Sequence, residues 1–315
     1  MRDGILILNK PQEWTSHDCV AVVRRATGVK KVGHGGTLDP MAEGLLPIFI
    51  GKSTRIMEYL DSDSKTYRCR VKLGIVTDTQ DIWGTVLESR GTKGLREEEI
   101  KEALMSFQGE ISQVPPKYSA LKVKGKKLYE YARQGLDVDI EARKVTVHEM
   151  EYEGAYPERG ELQFKITCSK GTYVRTICHD LGQKLGCGGV MSGLVRLKSG
   201  RFDLAEAVRP DELKSMDKED IEKRLLPPDY PLEGFGVLEI KGDRGDFFRK
   251  GGSVSWKQVK EKEKPRQDRG FKTGRGIPYS RLYRVYSLET GEFLGTGFRD
   301  DEKDILKADK VLAAL

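Results

Sequence analysis

The sequence predicts an α+β fold, in which a mixed, largely antiparallel sheet forms a first domain and a small β-rich domain follows. Segments typical of strands and helices succeed one another without the regular strand–helix–strand repeat of a parallel α/β protein. Prolines and a glycine cluster in PPDYPLEG (227–234), a composition typical of a domain boundary. We therefore predict one domain at residues 1–230 and another at 231–315.

The first elements can be read in chain order. GILILNK (4–10) predicts a strand, and TSHD (15–18) predicts the start of a helix that ends at Gly28. In KTYRCRVKLG (65–74), apolar and basic residues alternate, which indicates a strand with one buried face. Tyr67 lies on that apolar face.

Other segments follow the same rules of periodicity and helix capping. The remaining strands are expected in LLPIFIG (45–51), GTVLESR (84–90), RKVTVHEMEYEG (143–154), ELQFKITCSK (161–170), FGVLEI (235–240), GSVSW (252–256) and LYRVYSLETGEFLGTGF (282–298). The remaining helices are expected in KSTRIMEYL (52–60), LREEEIKEALMSFQG (95–109) and the end of KGTYVRTICHDLGQKLGCGG (170–189).

One segment predicts a projection from the sheet. QVPPKYSALKVKGKKLYEYARQG (113–135) begins at two prolines and interleaves basic residues with Tyr118, Tyr129 and Tyr131. We expect a loop or hairpin followed by a short helix, and call residues 113–143 the insertion.

Composition limits the class of protein. Hydrophobic residues make up 37% and charged residues 33%, and no run of about 18 apolar residues predicts a membrane span. We see no secretory signal, so we expect a cytoplasmic protein without membrane association. The 5 cysteines are odd in number and include no CxxC pair, which argues against disulfides, structural zinc and a catalytic thiol. Cys69 and Cys168 are expected as small buried hydrophobes.

The net charge of +6 is concentrated in one segment of the sequence. Residues 257–281, which we call the basic block, contain nine cations and three anions, so the rest of the chain sums to zero. Because Lys, Arg, Gly and Pro dominate this segment, we expect an unpacked loop inserted in the second domain. It could bind a polyanion, or it could be an idle solvated linker.

The stretch GHGGTLDPMAEGLLP (33–47), which we call the signature loop, places one aspartate among small residues and prolines. Gly35-Gly36 permits backbone angles closed to other residues, and Pro40 favours an extended conformation at Asp39. Such stiffness suits a positioned catalytic carboxylate, although an Asp-Pro pair in a structural turn is the simpler explanation.

Several blocks in order resemble one family. The signature loop, KTYRCRVKLGIVTDTQDIWG (65–84), the insertion, CSKGTYVRTICHDLGQKLGCGG (168–189) and VMSGLVRLKSGRF (190–202) are similar to motifs of the pseudouridine synthases. The branch that they resemble modifies the T-arm of transfer RNA and is called TruB. The resemblance covers about residues 3 to 203.

The resemblance implies isomerisation of a uridine (position 55) to pseudouridine in transfer RNA, without a cofactor. It assigns the catalytic carboxylate to Asp39, an arginine that keeps this carboxylate charged to Arg175, and a ring that stacks on the flipped uracil to Tyr67. Tyr67 could also move a proton, or be only a core tyrosine, and Arg175 could be a surface cation. Whether Asp39 attacks the ribose or the uracil, or removes a C2′ proton, stays open.

The same resemblance implies further substrate contacts. Tyr173 and Leu194 are expected in the uracil pocket, and Asp81 in the network around it. His34 is expected to take the place of the flipped base in the RNA. No second ligand stands at a spacing suited to a metal, so we predict no metal site. The other histidines (17, 148 and 179) are expected to be partly buried and structural.

The C-terminal segment loosely resembles the small RNA-binding PUA domain, through FFRKGGSV (247–254) and GEFLGTGF (291–298). We therefore expect transfer RNA as the partner, no obligate protein partner and a monomer. Two alternatives remain: a pseudouridine synthase that depends on a guide RNA, and a protein that binds or folds transfer RNA without catalysis. The family's insertion grips RNA, and an enzyme without a guide RNA needs it to hold the substrate. The intact insertion therefore favours a stand-alone enzyme over a guide-dependent one.

Overall fold

The computed structural model describes residues 1–312 except 63, 120, 124, 137 and 267–269. Lys124 of the insertion and Arg269 of the basic block therefore lie outside the described residues. The strands up to residue 203 are β1 Gly4–Lys10, β2 Val32–His34, β3 Glu43–Ile50, β4 Lys65–Leu73, β5 Ile75–Thr77, β6 Val86–Ser89, β7 Gly109–Gln113, β8 Lys122–Val123, β9 Lys126–Lys127, β10 Arg143–Tyr156, β11 Glu161–Cys168, β12 Gly189–Ser199 and β13 Phe202–Asp203.

Six α-helices accompany these strands in the described part of the chain. They are α1 Ser16–Thr27, α2 Glu97–Met105, α3 Leu128–Arg133, α4 Val174–Lys184, α5 Pro210–Ser215 and α6 Lys218–Lys223. A 3-10 helix over Gly51–Ser62 follows β3, where the sequence predicted a short helix. The helix predicted from residue 15 is confirmed, because Thr15 caps α1 and Gly28 ends it with a left-handed φ of 72°.

The main sheet joins distant parts of the sequence. Its strands run in the order β1-β3-β12-β4-β11-β10-β7, with β2 beside β3 and β13 beside β12. Only β3 and β12 pair in parallel among the described strands of this sheet. The predicted α+β class with a mixed, largely antiparallel sheet is thus confirmed. β12, which lies inside the sheet between β3 and β4, was not predicted from the sequence.

One face of the sheet is packed and carries the side chains that matter below. Cys69, Phe164 and Ile166 point into a core that α2 and α4 cover. Tyr67 packs at the edge of this core, as the alternation in β4 predicted. All five cysteines are buried free thiols, so the prediction of buried Cys69 and Cys168 is confirmed.

The C-terminal part forms a second sheet, and its predicted β-rich character is confirmed. Its elements are β14 Gly236–Ile240, α7 Gly242–Arg249, β15 Val254–Ser255, β16 Val259–Glu263, β17 Leu282–Ser287, β18 Phe293–Asp300 and β19 Ile305–Val311. The strand order is β15-β19-β18-β17-β14-β16. A shared cluster that includes Tyr59, Phe235 and Tyr279 packs against both sheets. The division into domains at residue 230 stays a prediction.

The expectation of an unpacked loop at the basic block is wrong at three places, although most of its described residues are exposed. Residues 259–263 form β16 and pair with β14. Tyr279 is buried, and its hydroxyl donates to the Glu58 carbonyl over 3.0 Å. Thr273 is also buried. The many charged residues of this segment suggested a solvated loop. A few aromatic and β-branched side chains nevertheless bury enough apolar surface to hold the segment against the first sheet.

The insertion has the predicted form. β8 and β9 pair as a hairpin, and α3 follows directly.

In the described part of the chain, no helix is both long and apolar enough to cross a membrane.

Candidate active site

A cavity of about 200 Å³ opens beside the packed edge of the main sheet. The signature loop forms one wall, and the segment that leads into α4 forms the opposite wall. Five of the predicted site residues line this cavity: Asp39, Tyr67, Tyr173, Arg175 and Leu194. Asp81 joins them through Arg175, whereas His34 does not line the cavity.

The signature loop is held by packing and by hydrogen bonds. A Cβ atom on Gly35 would lie 2.7 Å from Leu60 and 2.8 Å from Phe49, so only glycine fits there. Gly36 has a φ of 111°, which glycine adopts readily. The Ser16 hydroxyl lies 3.2 Å from the Leu38 carbonyl and 3.0 Å from the Leu38 amide. Asp39 therefore follows a segment whose backbone has little freedom.

Arg175 links three loops through one guanidinium group. Its Nη2 lies 3.1 Å from Asp39 Oδ2, and its Nη1 lies 3.5 Å from Asp81 Oδ2. The same group donates to the carbonyls of Thr79 and of Tyr118, over 3.2 and 3.0 Å. Arg175 is only 7% exposed, so the alternative of a surface cation is wrong. Because Tyr118 belongs to the insertion, the cavity and the insertion share this anchor.

Asp81 and Gln113 hold backbone segments close to Arg175 in place. Asp81 is buried, and its Oδ1 accepts hydrogen bonds from the Thr79 hydroxyl and the Trp83 amide. The buried side-chain amide of Gln113 bonds both the N–H and the carbonyl of Tyr173, over 2.7 and 3.0 Å. Sequence reasoning missed Gln113, since nothing in its local pattern distinguishes it.

Arg196 is the second residue that sequence reasoning missed. It is fully buried, yet its guanidinium donates to the carbonyls of Leu45 and Gly36, over 2.7 and 3.2 Å. In the register of β12 and β4, Arg196 lies directly opposite Tyr67, and the two side chains interact. Once β12 is known to be a strand, its period of two puts Arg196 on the same face as Leu194, but the sequence alone did not reveal that strand.

Burial shifts the pKa values of Tyr67 and His34. Burial raises the pKa of the Tyr67 phenol, and the Arg196 charge acts in the opposite direction. Burial also lowers the pKa of His34, as do the charges of His17 and Arg196. The neutral forms of Tyr67 and His34 are therefore favoured at neutral pH.

The remaining histidines do not fit the expectation of partial burial, with one exception. His17 and His148 are exposed, and only His179 is half-buried. The His17 ring lies edge-on to His34, with ring centroids 5.5 Å apart. His17 lies in α1 as expected, but on the outer side of the helix, so its place in the element did not reveal that its side chain is exposed.

Replacing Arg175 by lysine tests its multiple contacts. A single ammonium cannot reach two carboxylates and two carbonyls at once, so we expect the single-turnover rate of the reaction that the motif resemblance implies to fall at least about tenfold, roughly 1.4 kcal/mol. Arg159→Lys, an exposed substitution of the same kind, is the control. An unchanged rate in Arg175→Lys would mean that the planar fork of Arg175 is dispensable.

The fold and the sequence both match known proteins. A solved H/ACA ribonucleoprotein bound to a substrate RNA contains a chain 22% identical, with a TM-score of 0.68 over 99% of this chain and 85% of that one. A chain of a Cbf5-Nop10-Gar1 complex is 24% identical, with a TM-score of 0.69 over 98% of this chain and 84% of that one. Because both sequence identities are below 25%, the structural similarity establishes the fold alone.

Sequence comparison establishes the family. Residues 24–174 match the N-terminal domain of TruB family pseudouridylate synthases, and residues 175–233 match the C-terminal domain of tRNA pseudouridylate synthase B. A protein of Clostridium kluyveri named tRNA pseudouridine synthase B is 40% identical over 95% of this chain and 96% of its own length. One of the same name from Alkaliphilus oremlandii is 49% identical over 76% of this chain and 78% of its own length.

Fold and sequence together place this protein among the pseudouridine synthases, which are isomerases. Within that class, the chain belongs to the TruB family of pseudouridylate synthases. The resemblance inferred from the motifs is thereby confirmed.

Proposed function

We propose that this protein converts one uridine of the T-arm of transfer RNA, position 55, to pseudouridine, with Asp39 as the catalytic carboxylate. The observation that carries the proposal is the convergence of Asp39, Arg175, Tyr67, Tyr173 and Leu194 on one cavity of about 200 Å³. A carboxylate paired with an arginine, two aromatic rings and an aliphatic side chain suit a flipped pyrimidine base.

The reaction is an isomerisation within one nucleotide. The bond between N1 of uracil and C1′ of ribose breaks, the uracil rotates, and a bond forms between C5 and C1′. C5 loses its proton and N1 gains one, so atoms and electrons balance without an oxidant or a cofactor. The anionic Asp39 could attack C1′ or the uracil, or remove a C2′ proton, and all three routes use the same carboxylate.

The other side chains place the base. Tyr67 lies at the edge of the packed core, where its ring can stack on the uracil. Leu194 supplies an apolar wall, and Tyr173 a second aromatic surface. His34 is the last residue of β2 and belongs to the signature loop, and it would enter the RNA in place of the flipped base. Its neutral state suits stacking among bases.

Tyr67→Phe separates stacking from proton transfer. Since the phenylalanine ring keeps the stacking surface, RNA binding should persist. We expect single-turnover product formation to fall at least about a hundredfold, nearly as far as in Tyr67→Ala, because the hydroxyl moves a proton. Rapid-quench measurement of pseudouridine decides this. Near-normal turnover in Tyr67→Phe would remove the hydroxyl from the chemistry and leave stacking as its role.

Incubation of the purified protein with an unmodified transfer RNA transcript tests the function directly. Carbodiimide treatment followed by primer extension should reveal one pseudouridine, in the T-arm, without any added guide RNA. A transcript with cytidine at that position is the control and should give no stop. Modification only after a guide RNA is supplied, or binding with no modification at all, would contradict the proposal.

A further inference from the structure

Two short segments outside the cavity carry cations and no carboxylate. RRATGVKK (24–31) contains four cations, and GKSTR (51–55) contains two. We call these six residues the basic patch: Arg24, Arg25, Lys30, Lys31, Lys52 and Arg55. Five of the six are exposed and Lys52 is half-buried. Charge counting along the sequence did not reveal the patch, since its two halves are about twenty residues apart.

Strand pairing brings the two halves together. Val32 of β2 pairs with Ile50 of β3, and the Gly51 amide donates to the Lys31 carbonyl over 2.7 Å. Arg24 donates to the Val32 carbonyl over 3.0 Å, which brings its guanidinium to the start of β2. The end of α1, the start of β2 and the start of the 3-10 helix over Gly51–Ser62 therefore form one basic surface.

Several acids near this surface already have partners. Asp3 accepts from the Lys52 amide, and Glu222 pairs with the N-terminal amine. On α6, which packs against α1, Glu219 and Asp220 both pair with Lys223. Within the described ranges, by contrast, Arg25, Lys30 and Lys31 have no carboxylate within ion-pair distance.

Of the eight described cations of the basic block, five face a carboxylate, whereas Lys257, Lys264 and Lys272 do not. Lys260 and Lys262 both lie within 3.7 Å of Glu239, and Arg266 lies 3.9 Å from Glu233. Arg275 lies 3.5 Å from the buried carboxylate of Asp309. Cations that already face a carboxylate gain less from a phosphate, because the intramolecular pair must first be broken.

The basic patch also lies close to the reactive end of the molecule. Lys31 directly precedes β2 and His34 ends it, so three residues of extended chain separate their Cα atoms by roughly 10 Å. One strand of a nucleic acid duplex carries a phosphate about every 3.4 Å along its axis. A transfer RNA with its target base at His34 would thus present phosphates to Lys31 within roughly three nucleotides.

We propose that the basic patch, rather than the basic block, binds the phosphate backbone of the transfer RNA next to the flipped uridine. The proposal rests on the proposed function for its ligand. Arg25 lies in the last turns of α1, and Lys30 and Lys31 lie in the short connection to β2, so little backbone freedom is lost when phosphates bind. The patch would hold the T-arm against the protein while the signature loop takes the base.

Two triple variants with equal charge loss test the proposal. The first is Arg25→Gln, Lys30→Gln and Lys31→Gln in the patch, and the matched control is Lys260→Gln, Lys262→Gln and Arg266→Gln in the block. Transfer RNA is titrated against each variant and the parent protein over a salt series. Thermal melting of each variant checks that the fold persists.

We expect the patch variant to flatten the slope of log affinity against log salt by roughly 2 to 3, since each lost phosphate contact removes about 0.7 to 0.9. The control should flatten the slope by less than about 1. Equal slopes in the patch variant and the parent, or equal flattening in both variants, would overturn the inference. Failure of the proposed function is distinguishable, because the parent protein would then form no pseudouridine, whatever the slopes.

Discussion

Asp39→Asn should bind transfer RNA like the parent protein and lose isomerisation by at least about a thousandfold, roughly 4 kcal/mol. The amide is neutral at every pH of interest, so it can serve neither as an anionic nucleophile nor as a base. Its shape is nearly unchanged, and Arg175 keeps Asp81 and the carbonyls of Thr79 and Tyr118 as partners. The side chain of Asp39 is 46% exposed, so little stability should be lost.

Single-turnover kinetics and a binding titration measure the two expectations separately. Asp78→Asn is the matched control, because Asp78 is exposed and does not line the cavity. We expect its rate to stay within about twofold of the parent. Pseudouridine formed by Asp39→Asn, with hydrolysis of the amide excluded by mass spectrometry, would show that this carboxylate is not essential.

Arg196→Lys should lower the single-turnover rate by at least about a hundredfold, roughly 2.7 kcal/mol. The buried guanidinium donates to the carbonyls of Leu45 and Gly36 while it interacts with Tyr67. A lysine ammonium keeps the charge but lacks the planar fork that reaches these groups together. Each buried carbonyl left without a donor costs about 1 to 3 kcal/mol, so the melting temperature should fall too.

A double-mutant cycle with Tyr67→Phe distinguishes a role in positioning from a loss of stability alone. If Arg196 acts through the phenol, the two substitutions should be much less than additive in rate. Arg70→Lys, on the exposed face of β4, is the control and should change neither rate nor melting temperature appreciably. Additive effects of Arg196→Lys and Tyr67→Phe would mean that the arginine does not act through the tyrosine.

Local chemistry made much of the fold predictable. The alternation in β4 placed Tyr67 and Cys69 on the packed face, and the caps at Thr15 and Gly28 bounded α1. These features were predictable because each depends on residues within a few positions of one another. β12 was missed because both of its faces are largely buried at the centre of the sheet, so its sequence shows no polar alternation.

Only the site residues that the family motifs assign could be predicted from the sequence. The ordered blocks placed Asp39, Tyr67, Tyr173, Arg175 and Leu194 in one site, and the structure brings all five to one cavity. Arg196 and Gln113 hold that cavity together through backbone carbonyls and amides of other elements. Such contacts leave no mark on the sequence, because every residue offers the same backbone groups.

The sequence by itself determined many of the elements, the family and the residue types that the chemistry requires. Tertiary structure decided which charges are free. The basic block carries the excess charge of the sequence, yet several of its cations face carboxylates such as Glu239 and Glu233. The basic patch is inconspicuous in the sequence and emerges only when β2 pairs with β3. Charge acts through space over a few ångströms, and only the folded chain sets those distances.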